Sequence, residues 1–201
     1  MTVDPTGPVP SPTLAFELLV VVSADGFIAR RPGEHPGSWA SAEEQRRFAA
    51  AVPTYDWAFM GRTTHLTAFK RDRRRVVFSS TAQGLDWREA NHLWVDPASI
   101  PMPAILAALD SVRPLRRAVV LGGTMVHDWF LARGLLTRID LSIEPIRFGT
   151  GLPVFRGDKG QPLRHLVEHG WRMVEQIGLN DAGSQVIVLE PGVPGRSAVH
   201  K

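Results

Sequence analysis

The chain has 201 residues, 44% of them hydrophobic, and no cysteine; this is enough for one domain with a large core, and it excludes disulfides and cysteine-bound zinc. Its 23 Lys and Arg against 20 Asp and Glu leave a formal charge of +3, too slight an excess to indicate a nucleic-acid partner. The longest apolar stretch, around residues 18–22, is too short to span a bilayer, so no membrane partner is expected.

Residues 1–13 carry four prolines and no periodic apolar pattern, and residues 191–201 repeat that character. Both are expected to be disordered or flexible tails around one domain over 14–190. The first segment lacks the basic and apolar regions of a signal peptide, and with the absent cysteine this leads to an expected cytoplasmic location. An apolar run over 14–22 reads as a strand covered on both faces, ended by Asp25-Gly26. A loop rich in proline and glycine follows over 30–37. Ser41 then caps a helix through Glu43, Glu44, Phe48 and Ala51, with Glu44 at the third helical position that a capping box favours. Further strands are predicted over 57–60, 75–79, 92–95, 118–121, 138–146, 171–177 and 185–189, and helices over 63–68, 102–112 and 125–133. Strands alternating with helices indicate an α/β sheet with crossover connections. The final two strands have only Asn180-Asp181-Ala182-Gly183 between them, the turn of an antiparallel hairpin.

Two turns stand out. Phe59-Met60-Gly61-Arg62-Thr63-Thr64 and Val119-Val120-Leu121-Gly122-Gly123-Thr124 each lead from a predicted strand into a predicted helix. A helix start offers unpaired N–H groups and a positive dipole end, and glycine lets a ligand approach the backbone, so each suits a phosphate. Two in one small domain suggest a ligand with more than one phosphate. The basic run Lys70-Arg71-Asp72-Arg73-Arg74-Arg75 reads as a solvated loop before a strand, in preference to a phosphate-binding role. His165-Leu166-Val167-Glu168-His169 matches a zinc-protease pattern, but Pro162 and Gly170 close around it, and it reads as a short surface segment with no metal. Trp129-Phe130-Leu131 reads as core.

The ordered succession of these pieces resembles the dihydrofolate reductase superfamily, and within it the riboflavin-biosynthesis reductase branch, the RibD C-terminal family. The residues that carry the resemblance are Ser23-Ala24-Asp25-Gly26-Phe27-Ile28-Ala29, Trp39 followed by Glu44 and Phe48, Met60-Gly61-Arg62-Thr63-Thr64, Val76-Val77-Phe78-Ser79-Ser80, Leu121-Gly122-Gly123-Thr124, and Phe130-Leu131 followed by Asp140-Leu141 and Pro145. The resemblance implies a three-layer α/β/α fold with a central mixed, mostly parallel sheet, and a homodimer. It also implies NADPH as cofactor, held by Gly61, Arg62, Thr63, Thr64, Gly122, Gly123, Thr124 and Met125. Ser79 and Ser80 would lie by the adenosine ribose, and Ala24 and Ile28 would border the nicotinamide. Trp39 and Phe48 would line the substrate pocket.

Glu44 is the candidate catalytic acid, able to accept paired hydrogen bonds from an aminopyrimidine edge; alternatively it completes the helix cap and Glu43 faces inward. Asp25 is a second candidate, and its Asp-Gly pair equally suits a plain turn. The activity implied is reduction of a pteridine- or pyrimidine-like heterocycle, most like 5-amino-6-(5-phosphoribosylamino)uracil. Leu121 stands where riboflavin reductases commonly carry glutamate. Dihydrofolate reduction and a non-catalytic nucleotide-binding module are the alternative readings.

Overall fold

The computed structural model of the protein describes residues 14–192; the tail expected over 1–13 lies outside the described residues, as does the one expected over 191–201 except at its start, where Pro191 is the last residue of the final strand. In chain order the elements are β1 (Ala15–Ser23), β2 (Phe27–Ala29), α1 (Ala42–Ala51), β3 (Trp57–Gly61), α2 (Arg62–Thr67), β4 (Arg75–Phe78), β5 (Asp86–Glu89), β6 (His92–Val95), α3 (Met102–Asp110), β7 (Arg117–Gly122), α4 (Thr124–Ala132), β8 (Leu136–Glu144), β9 (Leu152–Pro153), α5 (Pro162–Glu168), β10 (Trp171–Gly178) and β11 (Gln185–Pro191). Short 3-10 turns stand at Pro36–Ser38 and Val52–Thr54.

Nine strands form one sheet in the order β10-β11-β8-β1-β7-β3-β4-β6-β5. Every pairing from β8 across to β6 is parallel, and the antiparallel pairings lie at the two edges. Parallel neighbours need crossovers, and these cover both faces with helices, which is why the central strands read as unbroken apolar runs. On one face Phe16, Leu18, Phe59 and Val120 pack with Ile105 and Leu109 of α3 and Val126 and Phe130 of α4. On the other, Leu19, Ala58, Met60 and Val119 form a smaller cluster against Ala51 of α1. The result is the expected three-layer α/β/α sandwich with a mixed, mostly parallel sheet. The C-terminal hairpin is β10–β11. Among the described residues no helix is long and apolar enough to cross a membrane.

The differences from the sequence reading have local causes. β2 and β9 are two short segments that pair only with each other, and β5 is a polar edge strand whose register comes from β6; none has a period to read. Strand β8 stops at Glu144 because Pro145 cannot continue the ladder. The segment around His165 is a true helix, α5, since Pro162 stands at its start, where proline is tolerated.

Phe130 is fully buried, its ring 5.2 Å from Phe16, 5.3 Å from Phe59 and 5.1 Å from Trp129, in keeping with the core reading of this segment. Phe130→Ala leaves a cavity where three strands meet α4. We expect a loss of about 3–5 kcal/mol, measured as a fall in the urea midpoint at constant slope; a loss below about 1 kcal/mol would show that α4 closes over the gap.

Candidate active site

A cavity of about 1150 Å³ opens over the sheet between α1 and α2. It meets the sheet through Val21 of β1, Gly61 of β3, Phe78 of β4 and Leu121 of β7, all at or near the C-terminal ends of parallel strands, where α/β sheets place their ligands. β3 and β7 are neighbours, with Met60 paired to Gly122. Their two glycine turns therefore touch: a Cβ added to Gly61 would lie 3.8 Å from both the Gly122 carbonyl oxygen and the Gly123 nitrogen.

Gly61 is the N-cap of α2 and Gly123 the N-cap of α4, and neither helix has a side-chain cap among the described residues. Gly61, Arg62, Thr63, Thr64, Gly123, Thr124 and Met125 all line the cavity, as do Ser79, Ser80 and Ile28. Uncapped first-turn N–H groups from two helices thus face one space. Thr124 contributes backbone alone, since its hydroxyl donates to the Pro153 carbonyl. Gly122 lies behind the lining, in a cis peptide with Gly123 and at φ +100°. A side chain there would meet His127 Nε2 at 2.7 Å. His127 is buried and donates from Nδ1 to the Val154 carbonyl at 3.0 Å; burial lowers it to about 4, so the ring is neutral.

The other end of the cavity is apolar. Leu19, Val21, Met60 and Leu121 make its floor, and Phe48 and Ala49 of α1, with Val52 of the 3-10 turn that follows, its wall. Glu44 stands among them, 4% exposed. Ser41 caps the helix by accepting from the Glu44 N–H at 3.3 Å, but the return bond of a capping box is not made, and Glu44 Oε2 has no hydrogen-bond partner among the described residues. Burial pushes this carboxyl up from its ordinary range. Glu43 instead bonds Arg46 and Asn180, away from the cavity.

Three other expected residues lie outside the lining. Asp25 accepts from Ser23 Oγ at 2.6 Å, from the Gly149 N–H at 2.7 Å and from the Phe148 N–H at 3.1 Å. These bonds stitch the loop after β1 to the loop after β8, so Asp25 is a loop anchor rather than a cavity acid. Ala24 is exposed, its N–H donating to the Ile146 carbonyl. Trp39 turns its ring edge-on to Phe148, centroids 5.0 Å apart, and Arg30 covers the same phenyl ring. The loop over 146–151 supplies the partner that draws Trp39 away.

The structure adds residues that the sequence reading passed over. Gln45 and His35 line the cavity, and so do Lys70, Arg73 and Arg75 from the basic run. Arg71 is solvated as expected, but Arg75 is buried and donates to the carbonyls of His65 and Ala68 at the end of α2. Beneath α1 the inward positions of β8 hold Asp140, Ser142 and Glu144, all buried; the alternation in Asp-Leu-Ser-Ile-Glu was the signal. His165 stacks on Phe155 and its ring is 4.2 Å from that of His169. Among the described residues no group of three or more His, Asp or Glu gathers as a metal site would require.

Residues 17–177 match the sequence model of the RibD C-terminal domain. The chain belongs to that family. Among curated proteins, no sequence matches this one. Several solved structures share the fold. The Thermotoga maritima diaminohydroxyphosphoribosylaminopyrimidine deaminase/5-amino-6-(5-phosphoribosylamino)uracil reductase superposes with a TM-score of 0.63 at 18% identity, over 89% of this chain and 56% of that one. RibD of Acinetobacter baumannii gives 0.66 at 15% identity, over 91% and 59%. Dihydrofolate reductase from Enterococcus faecalis, complexed with NADP(H), gives 0.58 at 15%, over 88% and 95%. The present chain thus spans little more than half the length of the two RibD-type proteins.

The anchor role of Asp25 has a pH signature. Burial works to raise its carboxyl, but the bonds from Ser23, Gly149 and Phe148 outweigh it and hold the group down at about 2. An aspartate of an unfolded chain titrates near 4, so the stability that Asp25 contributes is complete above about pH 4 and is lost as the pH falls through about 2. Asp25→Asn should be less stable than the natural protein at pH 7, with the gap closing across that acid window. Urea midpoints at a series of pH values read this directly, and a gap independent of pH would count against the anchor.

Proposed function

We propose that the protein is an NADPH-dependent reductase acting on a pteridine- or pyrimidine-like heterocycle. The observation that carries this reading is the conjunction of two uncapped glycine-led helix starts with a partnerless buried carboxyl in one cavity. The lining fits a dinucleotide phosphate. Gly61 to Thr64 and Gly123 to Met125 would hold the diphosphate through backbone N–H groups. Arg62, exposed at the rim, and the hydroxyls of Ser79 and Ser80 would hold a 2′-phosphate, which suits a guanidinium through charge-assisted bonds. NADPH, when bound, supplies the hydride.

The chain's own part is to position and to protonate. Ile28 packs beside the paired-glycine turn, its Cδ1 3.9 Å from where a Gly123 side chain would begin, and so borders the space for a nicotinamide. Leu19, Val21, Met60 and Leu121 exclude water from the adjoining floor. Glu44, its carboxyl pushed up by burial, is placed to give a proton to a heterocycle nitrogen, or to accept from an N–H edge when ionised. The match to the RibD C-terminal family and the likeness to the Thermotoga deaminase/uracil reductase support a ribosylaminopyrimidine as the first substrate to try. Dihydrofolate is the second, supported by Glu44 and Phe48 in the lining but no longer by Trp39. A module without chemistry would have no use for a desolvated, unpaired carboxyl, which costs stability.

A homodimer is part of the same proposal. β10 is an edge strand, exposed along most of its length, with Met173 and Val174 about half exposed, and such edges are ordinarily paired or covered. A reaction fed by NADPH fits a cytoplasmic setting.

Two measurements test the reading. Arg62→Ala should weaken NADPH binding by about 1–3 kcal/mol and NADH binding by much less; equal calorimetric affinity of the natural protein for the two cofactors would sink the 2′-phosphate assignment. Glu44→Gln should spare folding and NADPH affinity while slowing NADPH oxidation about 10²-fold, scored with the ribosylaminopyrimidine, dihydrofolate and dihydropterins as acceptors. An unchanged rate with a working acceptor would remove Glu44 from the chemistry.

A further inference from the structure

The face of β8 under α1 is unusual for a sheet covered by a helix. Asp140, Ser142 and Glu144 occupy it at every second position, and α1 lays Glu44 and Arg47 against them. Three carboxyls are buried within this one contact. Their hydrogen bonds are unequal. Asp140 accepts from Arg47 and, at 2.8 Å, from Arg138 Nε. Glu144 accepts from Ser41 Oγ at Oε1 and from Ser184 Oγ at Oε2, both at 2.7 Å.

Ser41 Oγ also accepts from the Glu44 N–H, and Ser184 Oγ from Asn180 Nδ2 at 3.1 Å. Each serine thus accepts on one side and donates to Glu144 on the other, so that both Glu144 oxygens are satisfied. Glu44 is served least: the Arg47 guanidinium, committed to Asp140, comes no closer to Glu44 Oε2 than 3.9 Å. Both Glu44 Oε2 and Ser142 Oγ lack hydrogen-bond partners among the described residues. Of the three carboxyls Glu44 has the fewest donors, and burial pushes it up from its ordinary range.

We propose that Glu144 is a positioning residue of this site: bonded to Ser41 at the start of α1 and to Ser184 just before β11, it sets the placement and the acidity of Glu44. Glu144 lies outside the cavity lining and acts through Ser41 and through space. The inference rests on Glu44 as the acid of the proposed function. The charged groups facing Glu44 are Arg47 on its own helix and Asp140 and Glu144 on β8. Burial is the largest influence on Glu44; Ser142 and Arg47 oppose it, and Glu144 and Asp140 add to it. The clamp also reaches the C-terminal hairpin, because Asn180 holds both Ser184 and Glu43. The start of the helix that carries the acid is thereby tied to β8 and to the turn between β10 and β11.

The test is a titration of Glu44 in the free protein by carbon-13 NMR of labelled glutamate, in the natural sequence and in Glu144→Gln. The Glu44 midpoint should fall by about one pH unit once the neighbouring charge is gone, and the matching limb of the kcat/KM profile should fall with it. If Glu144→Gln does not fold, Glu144→Ala carries the same test, since no amide N–H₂ then faces two serine donors. A folded variant whose Glu44 midpoint is unmoved overturns the proposal, whatever its melting temperature, because a merely structural Glu144 would change stability and leave the midpoint in place. The titration needs neither cofactor nor substrate. A protein that reduced no heterocycle but showed the shift would refute the proposed function and uphold this coupling.

Discussion

The site depends on one register: β3 and β7 run parallel as neighbours, and Met60 pairs with Gly122 at their ends. β7 comes later in the chain than β3, yet inserts between β1 and β3. That insertion brings together two glycine turns about 60 residues apart in sequence, so two helix starts open onto the same volume. A slip of one residue would turn Leu121 away from the cavity floor and carry the α4 start away from Gly61. The register is secured from below, where Phe59 and Val120 sink into the same core as Phe130. The positions that would meet a ligand are therefore held by packing on the opposite face of the sheet.

What was legible in the sequence was what is local. Gly61, Gly123 and the helix starts behind them announce themselves within a few residues, and so do the apolar central strands. Asp25 and Trp39 were placed in the pocket because their partners could not be seen. Phe148 and Gly149, which bind Asp25, lie more than 120 residues away, and the ring that takes Trp39 belongs to the same distant loop. Arg75 was read with its solvated neighbours because a run of like charges looks uniform, whereas the strand that begins there turns one member inward to close α2. The row Asp140, Ser142, Glu144 shows the opposite failure: its period of two was plain, but it fell in a strand predicted from apolar content.

The first turn of α1 illustrates how local rules yield at a functional site. Ser41 and Glu44 have the spacing of a reciprocal cap, which would satisfy two backbone N–H groups at once. The serine makes its half, and the glutamate does not. Its carboxyl lies instead beside Arg47 of its own helix and the row Asp140, Ser142 and Glu144 of β8, where desolvation costs stability and Oε2 has no hydrogen-bond partner among the described residues. Ser41 gains a different partner, Glu144, and the helix start is held from the strand below rather than by its own side chain. The helix keeps the serine half of its cap, and the acid is left buried above β8. Departures of this kind, where a local preference is overridden and an ionisable group is left desolvated, mark sites of chemistry more often than of structure.

Leu121 gives that arrangement its consequence. It stands at the junction of the two halves of the cavity, one residue before the paired glycines and beside the floor under Glu44. A carboxylate at this position would place a second acid near the first, and the pair would share protons as a unit. An aliphatic side chain keeps this stretch of the floor apolar and, in the function proposed above, leaves the acid role to Glu44 alone. The half of the cavity lined with N–H groups and hydroxyls suits anions, and the half around Leu121 suits a flat, weakly polar ring with a single polar edge toward Glu44. The division follows from side-chain chemistry on adjacent strand ends: β3 and β7 end in glycine, where backbone is needed, and Met60 and Leu121 immediately before them supply the apolar surface.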